Sequence, residues 1–219
     1  MNRILGNILI QPHVINAEGL RFLNNYANQS QNAVPVGVFA PEKYGTGQDP
    51  VKIDTNVRDV LHVDYDPILP EIKDLMDNVV HRLINPFYNF KIDTSEPPQF
   101  LKYEVGGHYK PHYDGVARWR NPDGTEIWKK TSDRDLSAVI FLNDEFEGGE
   151  FVFPDLRIRI RPEPGLMVCF PSTEDYLHQV EPVTKGTRYS LVTWFTVSGF
   201  KTLREVDEEI EQKYNIKLP

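Results

Sequence analysis

The chain has 219 residues, of which 40% are hydrophobic and 26% are charged, and its formal net charge is −8. This length and composition predict a single domain, residues 1–219, with one sizeable core. The acidic balance argues against a nucleic-acid binder, because phosphate contacts need concentrated Lys and Arg. The apolar segment near the start, ILGNILI, is too short to cross a membrane.

The chain has one cysteine, Cys169, in the apolar run LMVCF. A single cysteine excludes an intramolecular disulfide, and its apolar neighbours predict a buried, unreactive thiol. No secretory signal is recognisable at the N-terminus. We therefore expect a cytoplasmic protein in a reducing environment.

We expect residues 1–97 to form a region of helices and strand that supports the β core. Residues 16–29 have apolar side chains at helical spacing behind Asn16, a residue type favoured at the N-cap. Residues 67–84 carry a longer apolar stripe at the same spacing and predict a second helix. Between the two helices, residues 51–63 alternate enough to predict a strand.

Residues 98–198 change to short apolar runs that are divided by the turn sequences EGG, PEPG and TKG. Many short strands with tight turns are typical of a sandwich or closed barrel rather than of a βαβ sheet. Residues 199–219 predict a terminal helix, in which Thr202 and Glu205 form a capping box. The predicted fold class is α+β, mainly β, with a β core between N-terminal helices and a C-terminal helix.

The segment HYKPHYDG, residues 108–115, concentrates groups that bind metals. His112 and Asp114 are two positions apart, so on a strand both side chains would leave the same face. An imidazole and a carboxylate that converge in this way supply two of the three ligands of a 2-His-1-carboxylate iron(II) site. The same pair also occurs in polar turns without a metal, so the interpretation depends on a third ligand.

One histidine follows Asp114 in the sequence, His178 in DYLHQVEPV. It is either the third ligand or a core histidine with an ordinary hydrogen bond. Further on, Arg188, Ser190 and Trp194 share one face of a predicted strand. If this face lines the barrel, the buried Arg188 guanidinium needs an anion. That anion is either a carboxylate from another strand or a carboxylate ligand, to which the Ser190 hydroxyl could add a hydrogen bond.

Three stretches together resemble the iron(II)- and 2-oxoglutarate-dependent dioxygenases of the prolyl 4-hydroxylase type. They are YEVGGHYKPHYD, LSAVIFLNDEFEGGEFVFP and PEPGLMVCFPSTEDYLHQVEPVTKGTRYSLVTWF. These motifs follow the family's order over residues 99–197. The resemblance implies a double-stranded β-helix, a jelly-roll or cupin-like core, over residues 98–198.

The resemblance also implies the composition of the site. His112, Asp114 and His178 would hold Fe(II), with 2-oxoglutarate and O2 as cosubstrates and ascorbate as a reductant. Arg188 would bind the far carboxylate of 2-oxoglutarate.

Three aromatic residues match positions near that site in the family. Tyr103 matches a tyrosine that lies close to the bound cosubstrate in relatives. Tyr109 would either support the metal ligands or pack in the wall of the site. Trp194 matches an aromatic near the active site, where we expect it to serve mainly in packing.

Two features lie outside the shared pattern. Hypoxia-type members offer a tyrosine to the far carboxylate from the strand before Leu-Asn, and counting back from Asn143 places Ile140 at that position. Residues 115–134, with Arg118, Trp119 and Trp128, predict a hairpin directly after the metal ligands. This hairpin is either a lid that contacts the substrate or a solvated hairpin that packs on itself.

The favoured function is hydroxylation of a C–H bond, foremost prolyl 4-hydroxylation of a protein or peptide. One alternative is the same chemistry on another side chain, a free amino acid or a small molecule, since fold and metal site do not decide the substrate. Another is a non-catalytic barrel that binds iron or a carboxylate. The sequence predicts no oligomeric state.

Overall fold

The computed structural model describes residues 3–5, 7–39 and 51–218. Its helices are α1 (Ala17–Gln29), α2 (Leu69–Val79), α3 (Asn85–Tyr88) and α4 (Leu203–Tyr214), with a 3₁₀ turn (Asp66–Ile68) before α2 and a π-helical turn (Val80–Ile84) after it. Within the described ranges, every helix falls short of the length and apolar character that a membrane span requires.

Strands make up most of the regular structure. In chain order they are β1 (Arg3–Leu5), β2 (Ile8–Gln11), β3 (Ala33–Pro35), β4 (Val38–Phe39), β5 (Val51–Lys52), β6 (Arg58–Asp59), β7 (Leu61–Val63), β8 (Ile92–Ser95), β9 (Gln99–Tyr103), β10 (His108–His112), β11 (Val116–Arg120), β12 (Glu126–Lys130), β13 (Leu136–Phe141), β14 (Phe146–Gly148), β15 (Phe151–Phe153), β16 (Ile158–Ile160), β17 (Met167–Pro171), β18 (His178–Val180), β19 (Val183–Gly186) and β20 (Arg188–Val197).

Two sheets contain most of these strands. The larger has nine strands in the order β1-β2-β17-β13-β20-β9-β7-β3, with β8 also pairing with β20. The smaller has five strands in the order β16-β15-β18-β10-β6. The pairs β11-β12, β14-β19 and β4-β5 form separate two-stranded ribbons.

The larger sheet is buried on both faces at its centre, and strand β13 shows how. Its residues Leu136, Ala138 and Ile140 pack in a cluster with the apolar faces of α1 and α2. Val139 and Phe141, which alternate with them, belong to a second cluster with residues of the smaller sheet. Because side chains alternate between the faces of a strand, helices cover one face and the smaller sheet covers the other.

The predicted helices are present, with differences at their ends. In α1, the Asn16 side chain accepts a hydrogen bond from the Gly19 amide at 2.8 Å, as an N-cap does. The helix predicted over 67–84 is divided into the 3₁₀ turn, α2 and the π-helical turn. At α4, the capping box of Thr202 and Glu205 is confirmed.

Two N-terminal segments differ from the sequence prediction. Residues 51–63 are not one strand but three, because the chain turns at Asp54 and then passes from the smaller sheet (β6) to the larger one (β7). The segment Ile8–Gln11, for which no strand was predicted, pairs with β17 inside the larger sheet. Long-range pairing partners decide both cases, and local alternation does not contain that information.

Candidate metal centre

The two histidines of the predicted triad face each other across neighbouring strands. His112 ends β10, His178 begins β18, and the antiparallel pairing sets them directly opposite each other. Asp114 lies just beyond the end of β10 and not on it, so the expected common strand face is replaced by a bend of the chain. One potential ligand atom from each of the three side chains lies within 4.8 Å of the others.

The hydrogen bonds of the two imidazoles leave their Nε2 atoms free to bind a metal. His112 Nδ1 lies 2.8 Å from the Lys110 carbonyl oxygen, and His178 Nδ1 lies 3.0 Å from the Tyr176 carbonyl oxygen. A carbonyl oxygen only accepts, so Nδ1 carries the hydrogen and Nε2 has a lone pair. The Nε2 atoms lie 3.7 Å (His112) and 3.5 Å (His178) from the Asp114 carboxylate oxygens.

Burial and neighbouring groups set the charge states that a metal needs. Burial, with His178 adding to it, lowers the pKa of His112 to about 3, so this imidazole is neutral near pH 7. For Asp114, burial is the largest single influence and raises the pKa. His178, His112 and the Ser137 hydroxyl together outweigh burial and lower the pKa to about 2, which keeps the carboxylate ionised.

A chain of hydroxyl groups holds the Asp114 carboxylate from behind. Ser137 Oγ lies 2.7 Å from Asp114 Oδ2 and 2.7 Å from Ser172 Oγ. Gly115, the next residue, is closely confined, because an added Cβ would lie 2.6 Å from the carbonyl oxygens of both Arg134 and Ser172. The position of the carboxylate is therefore fixed by neighbours on β13 and after β17.

Arg188 is fully buried and lacks a counter-ion among the described residues. It opens β20, has 1% of its surface exposed and lies opposite Tyr103 of β9. Nη1 donates to Ser190 Oγ at 3.3 Å, whereas Nε and Nη2 have no partner in the described part of the chain. Its guanidinium carbon lies 4.6 Å from the Tyr103 ring centre and 5.1 Å from that of Phe141. Burial lowers the pKa of Arg188, and the nearby Tyr103 side chain partly opposes this shift. Two N–H groups without a partner that meets hydrogen-bond geometry remain for an anionic ligand.

The predicted triad and Arg188 line one cavity between the two sheets. Tyr103, Ser190 and Trp194 line it as well, which confirms that alternate residues of β20 face the interior. The indole nitrogen of Trp194 is buried without a partner that meets hydrogen-bond geometry among the described residues. It nevertheless lies close enough to Asp114 to help lower the pKa of that carboxyl group, and the packing role expected for Trp194 stays a prediction.

Tyr109 lies flat against the His112 imidazole of the predicted triad. Its ring is stacked on that of His112 with centres 3.5 Å apart and planes 17° apart. Burial raises the pKa of Tyr109 to about 12, so its hydroxyl is neutral at physiological pH. This contact supports the His112 ring in its orientation, and Tyr109 also lines the cavity.

The expectation for Ile140 needs correction. Ile140 packs on the helix side of β13, whereas its neighbours Val139 and Phe141 face the smaller sheet, and the Phe141 ring lies 5.1 Å from the Arg188 guanidinium carbon. The count along the strand was wrong by one residue, and a shift of one residue exchanges the two faces.

The hairpin predicted after the metal ligands is present as β11-β12. Arg118 lies over the Trp128 ring at 4.4 Å, and Lys129 lies 5.1 Å from the Trp119 ring centre. Lys129 is also paired with Asp207 of α4. None of Arg118, Trp119 and Trp128 lines the cavity described above. The hairpin packs on itself and toward α4, and its role as a lid stays a prediction.

Sequence reasoning missed three residues of the site. Ser137 orients Asp114, Phe151 packs beside the His178 ring at 5.4 Å between centres, and Arg58 enters the cavity wall from β6. Ser137 carried a usable signal, because it alternates with Val139 on β13. Nothing in the local sequence of Arg58 indicates its position.

Comparisons with known proteins agree with this geometry. Residues 98–196 match the family model described as the 2OG-Fe(II) oxygenase superfamily. A PKHD-type hydroxylase of Paraburkholderia phytofirmans is 30% identical over 189 residues, which cover 84% of this chain and 75% of that protein. The chain belongs to the 2OG-Fe(II) oxygenase superfamily. It is therefore an oxygenase that works with Fe(II), 2-oxoglutarate and O2.

Further matches place this oxygenase near prolyl hydroxylases. Human prolyl 3-hydroxylase 2 is 39% identical over 116 residues, 45% of this chain and 16% of that protein. A solved structure of a Trichoplax adhaerens prolyl hydroxylase, in complex with a hypoxia-inducible-factor peptide fragment, has a TM-score of 0.62 at 16% identity, and the match covers 87% of this chain and 83% of that one. The resemblance to prolyl 4-hydroxylase-type dioxygenases and the double-stranded β-helix fold are confirmed.

Proposed function

We propose that this oxygenase hydroxylates a prolyl residue of a protein or peptide, with the residues of the cavity in defined roles. His112, Asp114 and His178 hold Fe(II). Arg188, with Ser190 and Tyr103, binds the far carboxylate of 2-oxoglutarate. The observation that carries the proposal is that a three-ligand cluster and a buried guanidinium with two unpaired N–H groups line the same cavity.

The donor atoms fit Fe(II). Two neutral imidazole nitrogens and one carboxylate form the facial set used by non-haem iron oxygenases, which leaves further positions on the metal open. Both imidazoles are fixed by backbone carbonyl groups, and the carboxylate is fixed by a hydroxyl group. Such outer hydrogen bonds hold the ligands in one orientation and raise metal affinity.

The surroundings of Arg188 fit the far end of a dicarboxylate. A carboxylate accepts two parallel hydrogen bonds from a guanidinium, and here Nε and Nη2 are free in the described structure to donate them. The charge of Arg188 is buried against Tyr103 and Phe141, where its electrostatic attraction for an anion is far stronger than it would be in water. A ligand held there extends toward the triad along the same cavity.

The remaining residues keep this region ordered and dry. Phe151, Phe153 and Phe170 surround the His178 ring, with ring centres 4.9–6.1 Å away. Bound together, Fe(II), 2-oxoglutarate and O2 supply an oxidative decarboxylation to succinate and CO2 that inserts one oxygen atom into a C–H bond. The task of the protein is to orient these reactants and to exclude water.

The names of the relatives support a prolyl substrate. They include a prolyl 3-hydroxylase by sequence and a prolyl hydroxylase with a bound peptide fragment by structure. We expect the oxygen atom to be inserted at C4 of the proline ring, as the family resemblance implies. Other side chains, free amino acids and small molecules are less favoured, and so is a non-catalytic barrel. Ascorbate as a reductant and a cytoplasmic location stay predictions.

The test is succinate release from 2-oxoglutarate by the Fe(II)-loaded protein, with and without a panel of proline-containing peptides. A peptide substrate should stimulate release severalfold and gain one oxygen atom from ¹⁸O2. The same peptide with alanine in place of proline is the matched control. Amino-acid analysis of the product distinguishes 4- from 3-hydroxyproline. Succinate release that no proline peptide stimulates would refute the prolyl substrate and retain the oxygenase.

A further inference from the structure

A second buried arginine lines the cavity from the opposite sheet. Arg58 lies in β6, directly opposite Tyr109 of β10, and has 7% of its surface exposed. Nη2 donates to the Gln99 side chain at 2.8 Å, and Nη1 makes a long contact of 3.4 Å with the Gly37 carbonyl oxygen. Nε is buried and has no partner among the described residues.

The charges in the cavity leave Arg58 without an anion. Among the described residues, no carboxylate forms an ion pair with it, and Asp114 is the one acidic residue of the cavity lining. If the proposed function holds, Fe(II) and Asp114 together carry one positive charge. Dianionic 2-oxoglutarate with Arg188 carries one negative charge, so these four groups balance. The positive charge of Arg58 is then the one charge of the cavity that no other group neutralises. A buried guanidinium is costly unless an anion or further hydrogen-bond acceptors compensate for its lost hydration.

The distance from the metal site suits a substrate group. His112 and Arg58 both lie against the Tyr109 ring, at 3.5 Å and 4.7 Å from its centre. They must occupy opposite faces of the ring, since on one face they would overlap. Arg58 thus lies within about 8 Å of the His112 ring, roughly the span of two peptide units. A substrate proline whose ring C–H points at the metal site would place its own carbonyl group, or that of the neighbouring residue, within this distance and so within reach of Arg58.

We propose that Arg58 is a specificity-determining residue that donates a hydrogen bond from its unpartnered Nε to a carbonyl or carboxylate oxygen of the substrate. This inference rests on the proposed function, because it takes the substrate to be a prolyl compound. Two sources share the required chemistry: an internal peptide carbonyl group, and the free carboxylate of a terminal proline. The Nε–H group serves both, and its hydrogen bond to a carboxylate is the stronger one because both partners are charged.

The experiment measures binding without turnover. Protein loaded with Fe(II) and 2-oxoglutarate under nitrogen is titrated calorimetrically with acetylproline, acetylprolinamide and a capped peptide with internal proline. The variants are Arg58→Gln, Arg58→Lys and, as control, Arg159→Gln, because Arg159 is an exposed arginine of the same sheet. Fe(II) affinity and the KM for 2-oxoglutarate are measured for each variant.

We expect Arg58→Gln to weaken probe binding at least tenfold, Arg58→Lys to weaken it less, and Arg159→Gln to leave it within twofold. Fe(II) affinity and the KM for 2-oxoglutarate should stay within twofold in all three. If the wild type prefers acetylproline over its amide and Arg58→Gln abolishes this preference, the group bound by Arg58 is a carboxylate. Equal weakening of the acid and the amide identifies a peptide carbonyl group.

Three results would overturn the inference. The first is unchanged probe binding in Arg58→Gln, and the second is absence of probe binding to the wild type. The third is a loss of Fe(II) affinity parallel to the loss of probe binding, because Arg58 would then only support Tyr109 and His112. The measurements also distinguish a failure of this inference from a failure of the proposed function. Probes that bind through Arg58 but gain no oxygen at proline in air would contradict the prolyl hydroxylase alone.

Discussion

Replacement of Arg188 by methionine should separate cosubstrate binding from protein stability. In the unliganded protein, Nε and Nη2 of this buried guanidinium have no partner among the described residues. Replacing a buried ion pair by apolar side chains is often neutral or stabilises a protein by about 1–4 kcal/mol, and a buried charge without a counter-ion is costlier to keep than a paired one. Each kcal/mol corresponds to about 2–4 °C in the Tm of a chain of this size. We therefore expect Arg188→Met to melt at the same or a higher temperature.

The same replacement should strongly weaken 2-oxoglutarate binding. Truncating one partner of a buried, hydrogen-bonded charge pair costs about 2–5 kcal/mol. With about 1.4 kcal/mol per factor of ten, a loss of 3 kcal/mol raises the KM for 2-oxoglutarate roughly a hundredfold. Ser190→Ala, which removes only the hydroxyl that Arg188 contacts at 3.3 Å, should raise it far less.

Two measurements check this prediction. Succinate formation against 2-oxoglutarate concentration gives the KM, and thermal unfolding with and without 2-oxoglutarate gives the stabilisation by the ligand. The wild type should gain stability from 2-oxoglutarate and Arg188→Met should not. A variant with an unchanged KM and a Tm lowered by several degrees would refute the reasoning, because Arg188 would then be satisfied within the protein.

Three further predictions concern the metal ligands, the neighbouring Gly115 and the buried Cys169. Asp114→Ala and His178→Ala should each abolish succinate formation through loss of iron, and equilibrium dialysis that finds stoichiometric Fe(II) in either variant would contradict the triad. Gly115→Ala should lower both Tm and iron affinity, since the added Cβ would lie 2.6 Å from two backbone carbonyl oxygens; an unchanged Tm would show that the backbone yields easily. Burial raises the pKa of Cys169 to about 12, so its thiol should resist iodoacetamide at pH 8 until the protein unfolds. Because the unfolded thiol loses its proton near pH 8.5 and the folded one does not, this residue should also make stability fall as pH rises from about 9 toward 12, which denaturant titrations of wild type and Cys169→Ala would show.

Local patterns in the sequence determined the chemistry of the site. The segment HYKPHYDG supplied His112 and Asp114 as candidate ligands, although a bend and not a common strand face brings them together. The alternation of β20 assigns Arg188, Ser190 and Trp194 to one face without any knowledge of neighbouring strands. Helix caps are local in the same sense, and the Asn16 cap and the capping box of α4 follow from residues three positions apart. Such features depend on periodicity and short-range hydrogen bonds, which the sequence states directly.

The tertiary structure alone decided which distant residues meet. His178 lies opposite His112 because β10 and β18 pair, and Arg58 reaches the cavity because β6 pairs with β10 at the edge of the smaller sheet. The error at Ile140 has the same origin: one residue of register exchanges the two faces of a strand, and register is fixed by partners far away in the chain. Pairing across long loops is not written in local periodicity, so the second buried arginine became visible only in the folded protein.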